Sequence, residues 1–253
     1  MRAIHFAKPF EYRLEVQAEH VSQGMALQGS LALVNRDSMT HHDMALQLAL
    51  GHGTYRLVKE KGADSIEVLE RHNLAQALTL EPGQEHKVAW TIPLQFDCPA
   101  TTKDSSPFLI YGSDLADASR RGVIDLHVEL AAPLQALVAT LENRFAFEAR
   151  SQHYDAGFME VHLKPPGTYP TLEEFIMAMR IGEDGLELIF RCKLKGFQRG
   201  AKAGVTARRV EVARTVPVRD YLLGNGQPNR ELYRQVLQGV LQEVTPAALT
   251  KPT

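Results

Sequence analysis

The chain is poor in the features that announce chemistry or membrane insertion. It has only two cysteines, Cys98 and Cys192, in 253 residues. At most one disulfide could form, and two free buried thiols in a reducing compartment suit so wide a spacing better. No run approaches the roughly 18 apolar residues that a membrane span requires. The opening MRAIHFAKPFEYRLEV lacks the apolar core of roughly 7–15 residues found in secretion signals. Neither sign of charge dominates: 28 Lys and Arg face 30 Asp and Glu, a formal net charge of −2. A global field that recruits nucleic acid or membranes is thereby excluded. Together these absences predict a soluble, cytoplasmic protein.

Catalytic motifs are also missing. There is no G-x-S-x-G, and neither cysteine has a histidine in a recognised local pattern. Gly51-His52-Gly53 has neither the third glycine nor the following helix of a phosphate loop. His41-His42-Asp43 is the densest group of metal-capable side chains, but adjacent strand residues point to opposite faces and cannot easily chelate one ion. His52, His72, His86 and His153 show no ligand spacing. The pairs Glu173-Glu174 and Glu183-Asp184 fall at turns or strand entries, where solvated charge is expected. No catalytic residue, metal or cofactor is assigned, and the chain is expected not to be an enzyme. Acids paired only in space stay invisible at this level.

Alternation with period two is what the sequence does have, and it marks half-buried strands. Tyr12, Leu14, Val16 and Ala18 share one face; Met25, Leu27, Gly29, Leu31 and Leu33 another; Met44, Leu46, Leu48 and Leu50 a third. Further strands are expected at Tyr55–Lys59, around Ile66–Leu69, at Leu74–Leu80, at His86–Ile92 and over Ile124–Leu130, with a long polar excursion at Thr101–Arg121. The pattern breaks at Ala131-Ala132-Pro133. Proline suits a first helical turn, and Leu134, Leu137, Val138 and Leu141 follow at helical spacing.

Strands then return at Arg144–Arg150, Phe158–Leu163, Glu174–Ile181, Leu186–Lys195 and Val205–Arg214, with Asp184-Gly185 as a hairpin turn. Asn229 is placed to cap a last helix striped by Leu232, Val236, Leu237, Val240, Leu241 and Val244, and the tail TPAALTKPT is expected to fray. The stripe either packs on its own domain or docks a partner or a second copy. The fold class is all-β: two tandem β-sandwich domains, 1–131 and 132–253, the second with helices at about 133–143 and 229–244.

Four segments carry a family resemblance: YRLEVQA with MALQGSLALVNR; LTLEPGQEHKVAWTIPLQFDCP; GVIDLHVEL; and PLQALVATLENRFAFEAR with EEFIMAMRIGEDGLELIFRCKLKG. In these the chain resembles the bacterial sporulation-control protein family, within the arrestin-like superfamily. The resemblance implies two arrestin-like sandwiches and a cytosolic, non-enzymatic regulator or scaffold acting through protein contacts. The length of Thr101–Arg121 and the basic loop at Gly196–Gly204 depart from it.

The sharpest local signal is basic. Arg191, Lys193, Lys195, Arg199, Lys202, Arg208, Arg209 and Arg214 stand against the single acid Glu211 between Phe190 and Arg214. On a hairpin, Arg191, Lys193 and Lys195 would share the face opposite Leu188, Phe190, Cys192 and Leu194. Two readings stay open. One is a solvated edge hairpin whose charges guard against aggregation. The other is a docking surface for an acidic segment of a protein partner, formed by Arg191, Lys193, Lys195, Arg199, Lys202, Arg208 and Arg209. Anionic lipid ranks behind a protein partner, and nucleic acid behind both, because aromatic interleaving is limited to Phe190 and Phe197. The alternative to a regulator is an enzyme or small-ligand binder with a site between the sandwiches, lined by Trp90 or the His41-His42 turn.

Overall fold

Most of the chain is antiparallel strand, and its distribution follows the alternation. The computed structural model describes residues 1–198 and 204–245. It divides into two compact units, Met1–Glu129 and Leu130–Thr253.

The first unit contains β1 (Arg2–Ala7), β2 (Phe10–Val16), β3 (His20–Ser22), β4 (Ala26–Asn35), β5 (His41–Thr54), α1 (Tyr55–Lys61), β6 (Glu67–Leu80), β7 (Glu85–Pro93), β8 (Ser105–Gly112), β9 (Arg121–Asp125) and β10 (His127–Glu129). One sheet has the order β1-β2-β4-β7 and the other β6-β5-β8-β9, while β10 and β3 form a two-stranded ribbon. Every second residue of the first sheet (Tyr12, Leu14, Leu31, Leu33, Trp90, Ile92) meets Leu46, Leu48, Leu50, Leu109 and Tyr111 of the second in one core. Trp90 lies in that core, opposite Gly29 in register. A Cβ added at Gly29 would lie 2.4 Å from the indole, so the bare backbone is what lets the ring in. Buried Asn35 ties the end of β6 to two loop carbonyls, donating to Leu80 O (3.0 Å), Met39 O (2.8 Å) and Glu81 O (3.1 Å).

Four sequence expectations change here, the first being that the strand expected over Ile124–Leu130 divides at Leu126 into β9 and β10, which belong to different sheets. Tyr55–Lys59, expected as a strand, is the exposed helix α1, supported by an Arg56–Glu60 pair one turn apart and ended by Gly62 at φ 68°. Seven residues fit either period, and the connection from β5 to β6 decides for the helix. The strands around Ile66–Leu69 and at Leu74–Leu80 are one long strand, β6, with Ala77 at φ 52° accommodating irregular pairing to β5. The polar excursion Thr101–Arg121 contains β8, which is buried along its whole length. Leu109 and Tyr111 face the main core, while Phe108 and Ile110 face a smaller cluster with Ile66 and Leu115. A strand covered on both faces loses alternation and reads as a plain apolar run.

The second unit contains α2 (Ala132–Phe145), β11 (Glu148–Asp155), β12 (Phe158–Lys164), β13 (Leu172–Gly182), β14 (Gly185–Gln198), β15 (Gly204–Val216), α3 (Val218–Tyr221) and α4 (Arg230–Val244). Pro133 opens α2, which runs on through Arg144 and Phe145, so the strand expected from Arg144 starts only at Glu148. The five strands form one antiparallel sheet in sequence order. The second layer here is helical: α2 packs on α4 and touches β11, while α3 touches α4 and β14. Asn229 caps α4 by accepting from Leu232 N at 3.2 Å. Its stripe buries Tyr233, Leu237, Val240, Leu241 and Val244. The tail from residue 246 lies outside the described residues.

Candidate functional site

Alternation along β14 turns Leu186, Leu188, Phe190 and Cys192 into the core of the second unit. Arg191 and Lys193 therefore project from the other, outer face, and Lys195 is exposed. Register with β15 sets Arg191 opposite Glu211, Lys193 opposite Arg209 and Leu194 opposite Arg208. Glu174, Ile176, Arg191, Lys193, Arg209 and Glu211 line a shallow depression of about 340 Å³ on this face. The structure thus gathers Arg191, Lys193 and Arg209 around one hollow, with Arg208 exposed on the same edge strand. Arg199 and Lys202 lie outside the described residues.

Acids from neighbouring strands hold much of this charge. Arg191 Nη1 bonds Glu160 Oε1, and its Nε reaches Glu211 Oε2 at 3.3 Å. Lys193 Nζ lies 3.0 Å and Lys195 Nζ 4.0 Å from the two oxygens of Glu173. On the helical side, Arg214 bonds Glu243 of α4. Arg208 and Arg209 make no ion pair among the described residues. The basic run is therefore a charge ladder whose surplus sits on β15, the last strand of the sheet.

A larger recess, about 470 Å³, lies between α2 and α4 beside Arg144, Arg230, Glu231 and Arg234. There Arg234 bonds Glu231 and drives its carboxyl down to about 2, away from the range of a general acid. Both cysteines are free. Burial pushes their thiols up to about 12 at Cys98 and about 11 at Cys192, leaving little thiolate near neutrality. His41 and His42 do not converge: His41 pairs with Asp37 at 3.1 Å, and His42 bonds Thr79 Oγ1 at 3.2 Å.

One group escaped the sequence reading. His20, His127 and Glu129 are exposed, and their donor atoms all lie within 4.8 Å of one another. The spacing of His127 and Glu129 on one strand was the available signal. The third member is brought in by parallel pairing of β3 with β10, which no local pattern announces.

No family model and no curated protein matches this chain. Among solved structures, Spo0M, the sporulation control protein from Bacillus subtilis, superposes with a TM-score of 0.64 at 15% identity, covering 93% of this chain and 98% of that one. The fold is that of a sporulation control protein. It is all-β and arrestin-like; at this identity, fold is all that the likeness shows. A β-glucosidase from Listeria innocua (TM-score 0.30, 13% identity) covers 47% of this chain and 16% of its own. The alkylpurine DNA glycosylase AlkC from Pseudomonas fluorescens, in complex with DNA (TM-score 0.32, 11% identity), covers 46% and 29%. Neither of these bears on chemistry. No helix among the described residues is long and apolar enough to cross a membrane.

Proposed function

We propose that this chain is a non-enzymatic, cytoplasmic regulatory protein that acts by protein–protein contact, taking an extended acidic segment of a partner along the edge of β15. The observation that carries the reading is the pair Arg208 and Arg209. They are consecutive, exposed and without an ion pair among the described residues, on a strand that ends its sheet. An edge strand offers free N–H and C=O groups to an added strand. Consecutive arginines project to opposite faces of it, and consecutive acids along an extended peptide, which project the same two ways, meet both. Arg191 and Lys193, already tied to Glu160, Glu211 and Glu173, would contribute after exchanging those partners. The shared fold with a sporulation control protein supports a regulatory role over a catalytic one.

The test is fluorescence anisotropy with a labelled peptide of repeated Glu-Glu-Val-Val, whose paired acids project from both faces of an extended chain. Binding should weaken about tenfold in an Arg208→Ser/Arg209→Ser variant, because two exposed ion pairs at up to about 1 kcal/mol each amount to roughly that. It should also fall as salt rises. Equal affinity in the variant, or retention on acidic liposomes with no peptide binding, would remove the proposal.

A further inference from the structure

We propose that His20, His127 and Glu129 bind one divalent transition-metal ion, with zinc as the best match, on the solvent face of the β3–β10 ribbon. The site belongs to the first unit and is independent of the reading of β15. Its geometry follows from burial. Register sets His20 opposite His127 and Val21 opposite Val128. Val21 and Val128 are core residues, 8% and 1% exposed. Strand alternation then turns positions 20, 127 and 129 to the same outer face. Two apolar side chains aim three donors at one point.

The donor set is two imidazoles and a carboxylate. Zinc takes such ligands at about 2.0–2.2 Å in a tetrahedron, and three protein ligands leave one corner for water. Imidazole ligands favour zinc and its neighbours over magnesium and calcium, which prefer oxygen-only sets. The two imidazole rings stand edge to face, 75° apart with centroids at 4.5 Å, so neither ring is stacked flat over the other. Donor atoms within 4.8 Å of one another close to tetrahedral spacing by side-chain rotation alone, since all three residues are exposed. The backbone beneath them is fixed. Gln23 N donates to Glu129 O at 3.0 Å, Thr101 N to Val128 O at 2.7 Å, and Val128 N to Thr101 Oγ1 at 2.9 Å. A site on paired strands with a bonded backbone is preorganised in a way that a loop site is not. The histidine pair His153–His162, with centroids at 5.3 Å, has no third ligand among the described residues and serves as the control.

The experiment is calorimetric titration of the full chain with zinc, and separately with magnesium, alongside thermal melts. The expected result is one zinc per chain at about 10 µM or tighter, no magnesium heat, and a melting point that rises with zinc. His20→Ala/His127→Ala should weaken zinc binding roughly 100-fold and Glu129→Gln roughly tenfold, both exceeding or matching typical outer-shell effects. The metal-free melting points of both variants should match that of the native chain, because the replaced side chains are exposed. His153→Ala/His162→Ala should bind as the native chain does. Unchanged zinc affinity in His20→Ala/His127→Ala, or no binding by the native chain at about 100 µM zinc, would overturn the assignment.

Discussion

The outer sheet faces of the two units carry the same kind of charge ladder, but only one of them closes. On the first unit Arg2 and Lys87 share Glu15, each at 3.1 Å, while Arg13 lies between Glu11 (2.6 Å) and Glu85 (3.1 Å). On the second, Arg180 has Glu187 at 2.8 Å, Arg191 has Glu160 and Glu211, and Lys193 has Glu173. The series stops at β15, where Arg209, and Arg208 on the opposite face, make no ion pair among the described residues. The residues opposite the edge cations explain the difference. In the first sheet Glu15 of β2 serves both edge cations, Arg2 of β1 and Lys87 of β7, whereas in the second the residues across from Arg208 and Arg209 are Leu194 and Lys193, neither of them an acid.

The largest effect that would probe this contrast is expected at Glu11. Its side chain is only 7% exposed and bonds both Arg13 and Arg36 at 2.6 Å. Glu11→Gln should cost about 2 kcal/mol in urea denaturation, since charged hydrogen bonds are lost beneath two cations. The hydrogen bond from Arg13, followed by that from Arg36, holds the Glu11 carboxyl below its ordinary 4.5. A carboxyl whose folded value is depressed stabilises the fold fully above its unfolded value. That contribution is lost as pH falls below about 4.5 and through the folded value. The native chain should therefore lose more stability than Glu11→Gln between pH 6 and pH 3, and parallel curves would show that Glu11 is not the carrier.

A smaller effect is expected at Glu160, 14% exposed beneath Arg191. Glu160→Gln should cost about 1 kcal/mol, and should leave Arg191 free to strengthen binding of the acidic peptide. The smallest is expected at the open end of the ladder. Arg208→Ser/Arg209→Ser should change stability by no more than about 0.5 kcal/mol, as surface changes do. A loss well beyond that would make the two arginines part of the scaffold and dissolve the contrast.

How far all this could be read from residues alone depends on who a side chain's neighbours are. Leu14, Leu31, Leu48 and Ile92 alternate because one face of their strands meets a core and the other meets water. Leu134, Leu137 and Leu141 repeat at helical spacing for the corresponding reason. Both periods are local, and both were legible. The strand β8 was not, because Ile66 and Leu115 cover its second face from elsewhere in the chain and erase the alternation. The outward projection of Arg191 and Lys193 was legible from Leu188, Phe190 and Cys192. Their neutralisation was not, because Glu160 and Glu173 arrive from β12 and from the start of β13. The same holds for His20, whose partners lie at 127 and 129: a parallel ribbon between distant segments leaves no periodic trace.

That ribbon also has a bearing on synthesis. Because residues 20–22 pair with 127–129, the first unit holds a contact that its own beginning cannot make until its very end has left the ribosome. A nascent chain paused anywhere between the two would carry β3 without its neighbour, and chaperones would meet Val21 exposed.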